Sequence, residues 1–140
     1  MSIVNGQEKL TGGPDSGSPQ ILGIAPQFLV DDLEASVVYY QTCLGFKVEF
    51  VYEGFYASVS RDGCEIHLKH AGKIVEDRQN RKDNEHLDAA IQVVGIDSLY
   101  AELQDRGALI SKPLELRPWN VHDFYVEDPD GYILCFGEQA

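Results

Sequence analysis

The sequence predicts an α+β domain assembled from two copies of one unit: a strand, a helix, then three strands. The stretch SRDGCEIHL at residues 60–68 returns in altered form as DPDGYILCF at 128–136, each time a glycine-bearing turn feeding a short apolar strand. Each turn is preceded by a helical stripe of apolar residues that stops at a glycine, Gly45 in the first copy and Gly107 in the second. Each helix follows a strand-like apolar run.

In the first copy, ILGIAPQFLV reads as a strand ending at Asp31-Asp32, where a carboxylate can accept the free N–H groups of a helix start. Leu33, Val37, Tyr40 and Leu44 recur at helical spacing, and Glu34 suits the positive end of the helix dipole. The segments FKVEFVY, FYASVSR and EIHLK follow as strands, joined by the tight turns Glu53-Gly54 and Asp62-Gly63. The second copy begins at HLDAAIQVV. Gly95 takes the cap position of Asp32, and Ile96, Leu99 and Leu103 make the buried stripe of the second helix. ALISKPLEL, NVHDFYVE and YILCF complete it, with Asp130-Gly131 where Asp62-Gly63 stood. From Gly45 to Gly63 is 18 positions and from Gly107 to Gly131 is 24, so a longer connection is expected near Arg117-Pro118-Trp119. Pro113 cannot donate to a ladder and predicts an edge strand or a bulge.

A chain of 140 residues supports one core, here spanning residues 21–138: module one about 21–70, a polar linker 71–85 without a convincing period, and module two about 86–138. Residues 1–20, rich in Gly, Ser and Pro, read as a disordered leader. No stretch has the roughly 20 apolar residues of a bilayer span, and no export signal begins the chain, so a cytoplasmic protein is expected. Cys43, Cys64 and Cys135 show neither a disulfide framework nor zinc-ribbon spacing. A formal charge of −12 argues against nucleic acid and favours a cationic guest over an anionic one. The nucleophile elbow, the phosphate-binding loop, H-E-x-x-H and the dinucleotide fingerprint are all absent.

The stretches FLVDDLEASVVYYQTCLGF, VSRDGCEIHL, IDSLYAELQDRGA and HDFYVEDPDGYILCFGE, in that order, resemble the vicinal oxygen chelate superfamily and its glyoxalase and bleomycin-resistance proteins. The resemblance implies two βαβββ modules forming a curled mixed sheet around a cleft for a small ligand, commonly within a homodimer. It also implies four inward positions, on the first and last strand of each module, that in the metal enzymes surround one divalent ion. Those positions fall on Ala25, His67, Asp88 and Cys135. Ala25 has no donor atom and Cys135 stands where Glu is usual, so the quartet is broken and no cofactor is expected. His67, Asp88 and Cys135 form the alternative metal set, with Gln27 and His86 two residues from a slot and on the same strand face.

His67 lies opposite Ile66 and Leu68 in EIHLK. If those two meet the helices, it faces the cleft as a hydrogen-bonding group, or as the candidate general base of an enzyme. Asp88 interrupts an apolar strand and needs a partner, a wet pocket or a cationic ligand. Cys135, between Leu134 and Phe136, reads first as a small buried hydrophobe. Tyr52, Phe55 and Tyr56 cluster at one turn, and Trp119, Phe124 and Tyr125 before another, offering flat surfaces for stacking. His67, Asp88, Trp119, Tyr56 and Cys135 are therefore the expected ligand contacts. The expected function is metal-free sequestration of a cationic or aromatic small molecule. The alternatives are a metal-dependent lyase, isomerase or dioxygenase, and an interaction domain with a closed cleft.

Overall fold

The structure, a computed structural model, describes residues 18–72 and 78–140. The expected leader lies outside the described residues except for 18–20, which carry no regular structure. Module one comprises β1 (Gln27–Val30), α1 (Leu33–Cys43), β2 (Lys47–Tyr52), β3 (Tyr56–Arg61) and β4 (Cys64–His70). A short helix α2 (Arg78–Asp83) intervenes. Module two comprises β5 (Ala89–Gln92), α3 (Ile96–Asp105), β6 (Leu109–Leu116), β7 (Val121–Glu127) and β8 (Ile133–Gln139). The modules repeat one topology: a four-stranded sheet of order β1-β4-β3-β2 and another of order β5-β8-β7-β6. In each, the first and last strands run parallel and the other pairs antiparallel. The sheets remain separate, each ending at the free edge of its own first strand.

The first strand is shorter than its apolar run suggested. Pairing begins at Gln27, and the carbonyl of Pro26 still accepts from the His67 N–H at 2.9 Å. Pro26 has no N–H to return, so the ladder stops there. Ile21, Leu22 and Ile24 are left exposed. The six extra positions between the stop glycine and the turn glycine of module two are spread along it rather than gathered near Trp119. The β6 strand is longer than β2 and bulged, and residues 128–132 make a wide turn where 62–63 make a tight one. Pro113 sits in the register shift between Lys112 and Glu115 of edge strand β6, as its missing donor requires.

Both helices begin as their sequences direct, by different means. The Asp32 carboxylate accepts from the Ala35 N–H at 3.0 Å and caps α1. Gly95 has no side chain to offer, and the Glu138 carboxylate accepts instead from the Gly95 and Ile96 N–H groups at 3.1 and 2.9 Å. At Gly45 the φ of 73° calls for glycine, and a Cβ there would come 2.7 Å from Arg61 Nη1, so the guanidinium would have to shift.

One core serves both modules. Phe28, Val30, Tyr40, Leu44, Val59 and Leu68 join Leu103, Phe124, Val126, Leu134 and Phe136 in a single cluster on the helix side of the two sheets. The joint is polar at its rim. Tyr132 stacks on Phe28 with centroids 4.3 Å apart, while its hydroxyl donates to the Leu29 carbonyl and accepts from the Leu29 N–H. The Tyr40 hydroxyl donates to Asp128 at 2.8 Å. Across the other end, Glu102 accepts two 2.9 Å hydrogen bonds from Arg61 and one of 2.7 Å from Arg106. The Arg61 bonds foremost hold that carboxyl down at about 2. Because the shared core takes the helix side of both sheets, the opposite face of each is left outside it.

Candidate ligand-binding site

Strand alternation decides what each open face presents. On β4, Ile66 and Leu68 are buried under the helix, so His67 points to the other side. The register places Gln27, His67 and Ser58 side by side across β1, β4 and β3, with Phe50 of β2 next in the row. The matching row of module two is Ala90, Cys135, Tyr125 and Lys112. The same position is thus polar and aromatic in one module and largely closed by Tyr125 in the other.

His67 is half-buried and both its ring nitrogens are engaged. Nδ1 lies 2.9 Å from the Tyr56 hydroxyl and Nε2 lies 2.9 Å from Glu65 Oε1. The Glu65 carboxyl is held below its ordinary range by its hydrogen bonds to His67 first and then Ser58. An ionised carboxylate can only accept, so the neutral ring carries its hydrogen on Nε2 and leaves Nδ1 to accept from Tyr56. Tyr56 in turn accepts from the Gln27 amide at 3.0 Å, and Ser58 donates to Glu65 Oε1 at 2.9 Å. The result is a directed chain in which every member has its partner.

Aromatic rings frame this chain. Phe50 lies parallel to Tyr56 with centroids 6.3 Å apart and meets His67 edge-on. Tyr52 packs on Phe55, which packs edge-on against Tyr56. Phe50, Tyr52 and Phe55 are 46%, 56% and 40% exposed. Clustered apolar rings open to solvent beside satisfied polar groups are able to stack on a flat ligand or pack against a partner surface.

The open face of module two is differently furnished. Trp119, 64% exposed, lines a groove of about 520 Å³ together with Leu87, Gln92, Asp123, Tyr125 and Cys135. The Arg117 guanidinium is buried against Asp123 and Glu115, each at 2.6 Å. Burial, reinforced by the negative charge of Asp123, pushes the Cys135 thiol up to about 11, so it is protonated at neutral pH. A larger cavity of about 720 Å³ lies between the modules, with Phe46, Ile66, Leu99 and Phe136 in its wall and the Arg61–Glu102 pair beside it. Its lining includes Glu65 but neither His67 nor Tyr56.

The expected contacts fall into two groups. His67 and Tyr56 come together on module one, and Trp119 with Cys135 along the groove of module two. Asp88 joins neither: its carboxylate accepts from Arg81 and from the Ile133 N–H, the latter at 2.8 Å, and its side chain is 9% exposed. The need for a partner was legible, but the partner comes from the linker. The first-strand slots also require correction. Ala25 precedes the strand and Gln27 is the true neighbour of His67. His86 donates its N–H to the Arg81 carbonyl at 2.8 Å, and both it and Asp88 precede β5, so the shared strand face expected of the two does not form. Among the described residues no three His, Cys, Asp or Glu side chains converge as a metal set. With Asp88 committed and the Cys135 thiol protonated, the alternative set His67, Asp88 and Cys135 does not fit an ion within one chain. Sequence reasoning missed Phe50, Ser58, Glu65 and Gln27 as a group around His67. The spacing Glu65-x-His67 on one strand face was the available signal.

Duplicated βαβββ modules that share a helix-side core and turn their other faces outward define a class of paired-module proteins. Residues 21–136 match the Glyoxalase/Bleomycin resistance protein/Dioxygenase superfamily, and the chain belongs to it. Among solved structures it is similar to a glyoxalase-related enzyme from Clostridium phytofermentans, at 18% identity over 89% of this chain and 100% of that one, with a TM-score of 0.70. It is also similar to the bleomycin-binding protein from bleomycin-producing Streptomyces verticillus complexed with copper(II)-bleomycin, at 22% identity over 88% of this chain and 98% of that one, with a TM-score of 0.64. A bleomycin-binding protein complexed with bleomycin gives 16% identity over 84% of this chain and 98% of that one, with a TM-score of 0.69. At these identities the likeness is one of fold. No curated protein matches the sequence. None of the helices among the described residues is long and apolar enough to cross a membrane.

Proposed function

We propose that this protein binds a small planar or cationic molecule on its open sheet faces and sequesters it, without metal and without chemical change. The observation that carries this reading is the state of the reactive groups. Both His67 nitrogens are hydrogen-bonded internally, Cys135 is held as a thiol, and Asp88 is ion-paired, whereas Phe50, Tyr52, Phe55 and Trp119 lie open. Such a surface offers stacking and fixed polar contacts more readily than a free base or nucleophile. The bleomycin-binding neighbours support a ligand of this kind.

The protein works as a homodimer in the cytoplasm, the open face of one module meeting that of a second copy to complete each cleft. Exposed apolar side chains on the open faces of both modules, Phe50 and Tyr52 on one and Leu109 on the other, support that pairing. Titration calorimetry with copper(II)-bleomycin, metal-free bleomycin and the planar cation berberine tests the reading, alongside elemental analysis of protein purified without chelator. Saturable binding of at least one probe is expected, weakened by Tyr56→Phe and Trp119→Ala, with the ligand recovered intact. Stoichiometric metal in the purified protein together with turnover of a substrate would replace sequestration by metal-dependent catalysis.

A further inference from the structure

The two open faces differ in one respect that duplication does not account for: module two carries a cover and module one, among the described residues, does not. That cover is α2 with the turn after it. Lys82 sets its ammonium 3.0 Å from Glu127, a buried residue on β7. Arg81 pairs with Asp88 at the head of β5. Glu85 accepts from the Lys112 ammonium at 2.8 Å and from the Tyr125 hydroxyl at 3.0 Å, and Lys112 itself stands 5.1 Å from the centre of the Tyr125 ring. Glu127, Tyr125 and Lys112 belong to the open face by strand alternation, and Asp88 lies just ahead of β5, hydrogen-bonded to the Ile133 N–H.

Among the described contacts, charged side chains supply most of what ties α2 and its turn to the face. Its sequence, RQNRKD, contains no apolar residue, so it contributes nothing to the core. Arg81 pairs with the largely buried Asp88 side chain and is the firmer tie. The Lys82 and Glu85 pairs have one or both partners open to solvent, the side chains of Lys82, Glu85 and Lys112 being 48%, 52% and 31% accessible. Pairs of that kind stabilise weakly. The contact to Glu127 is also imperfect, because the buried Oε2 has its counter-charge at 3.0 Å but no aligned hydrogen bond. A guanidinium or ammonium brought by a ligand could meet the same carboxylate with better geometry.

We propose that α2 is a strap that competes with the ligand for module two's half of the binding face, its Lys82 occupying the place a cationic ligand group takes when it enters. The inference rests on the small-molecule-binding reading, and it specifies a ligand carrying an ammonium or guanidinium group, since Glu127 loses its cation as the strap lifts. Affinity is then set partly by what it costs to displace the strap.

The test uses the full chain with copper(II)-bleomycin as probe. Lys82→Ala is expected to bind the probe about three- to fivefold more tightly than the unaltered protein, the gain of removing one weak competing ion pair. In the unaltered protein, hydrogen–deuterium exchange of residues 78–86 is expected to rise on saturation with the probe. This second measurement needs no variant and stands even if Lys82→Ala folds poorly. Equal or weaker binding by Lys82→Ala, or protection of residues 78–86 by the probe, overturns the strap while leaving the binding reading in place. Failure of both proteins to bind copper(II)-bleomycin, metal-free bleomycin and berberine overturns both.

Discussion

Asp128 sits where the second module's wide turn is hydrogen-bonded to α1. The residue is 4% exposed. One carboxylate oxygen accepts from the Asp130 and Tyr132 N–H groups, both at 2.9 Å, and the other accepts from Tyr40. Burial dominates these bonds and pushes its pKa from 3.8 up to about 6. An acid raised in this way is more protonated in the folded chain than in the unfolded one, so stability falls as pH rises from about 4 to about 6. At about 1.4 kcal/mol per pKa unit, the full difference is about 3 kcal/mol.

Asp128→Asn keeps the oxygen that accepts from the two N–H groups and removes the titration; Tyr40 must turn to accept from the new amide. Urea denaturation at half-unit steps between pH 4 and 7 is the assay. Because Glu65, Glu85 and Glu102 are all held low and titrate identically in both proteins, they cancel in the difference. The unaltered protein is expected to lose about 3 kcal/mol relative to the variant across the window, with the two curves parallel above it. Parallel curves throughout would refute the placement of a buried, raised carboxyl at this joint.

Two further outcomes follow from the joint and from the His67 chain. Tyr132→Phe removes a hydroxyl that serves both the N–H and the C=O of Leu29, and should cost about 1–3 kcal/mol of unfolding free energy; an unchanged urea midpoint would deny that bridge. Nitrogen-15 NMR of His67 should show the hydrogen on Nε2 in the unaltered protein, and Glu65→Gln should disturb that preference while leaving the backbone spectrum of β4 in place. A spectrum showing Nδ1 protonated in the unaltered protein would reverse the direction of the chain.

The fold was readable because it is written twice. Turn glycines, helix stops and alternating strands each recur, and a reading made in one module could be checked in the other. Pro113 announced its bulge for the same elementary reason that Pro26 shortened β1, yet only the first was anticipated, since an apolar run masks the consequence of a missing donor. The site was less readable. A cleft position could be assigned to His67 from the burial of Ile66 and Leu68, but its partners come from β1 and β3 and depend on register, which a single sequence fixes poorly. Asp88 was recognised as a carboxylate in need of a counter-charge. That the charge comes from a helix of six polar residues was invisible, because α2 has no apolar period to announce it.

Cys135 is where the binding and metal readings part, and its reactivity can be measured directly. A thiol pushed up to about 11 is ionised to roughly one part in a thousand at pH 8, and only the thiolate attacks an alkylating agent or ligates zinc. Cys64 is exposed at the start of β4, whereas Cys135 is buried between strands. Brief treatment of the native protein with iodoacetamide at pH 8, followed by peptide mass spectrometry, should therefore modify Cys64 while sparing Cys135, and unfolding in urea should bring the two together. Were Cys135 to react as fast as Cys64 in the folded chain, its thiolate would be available at neutral pH. A site drawing His67 from one subunit and Cys135 from another would then regain the donor that this structure denies it.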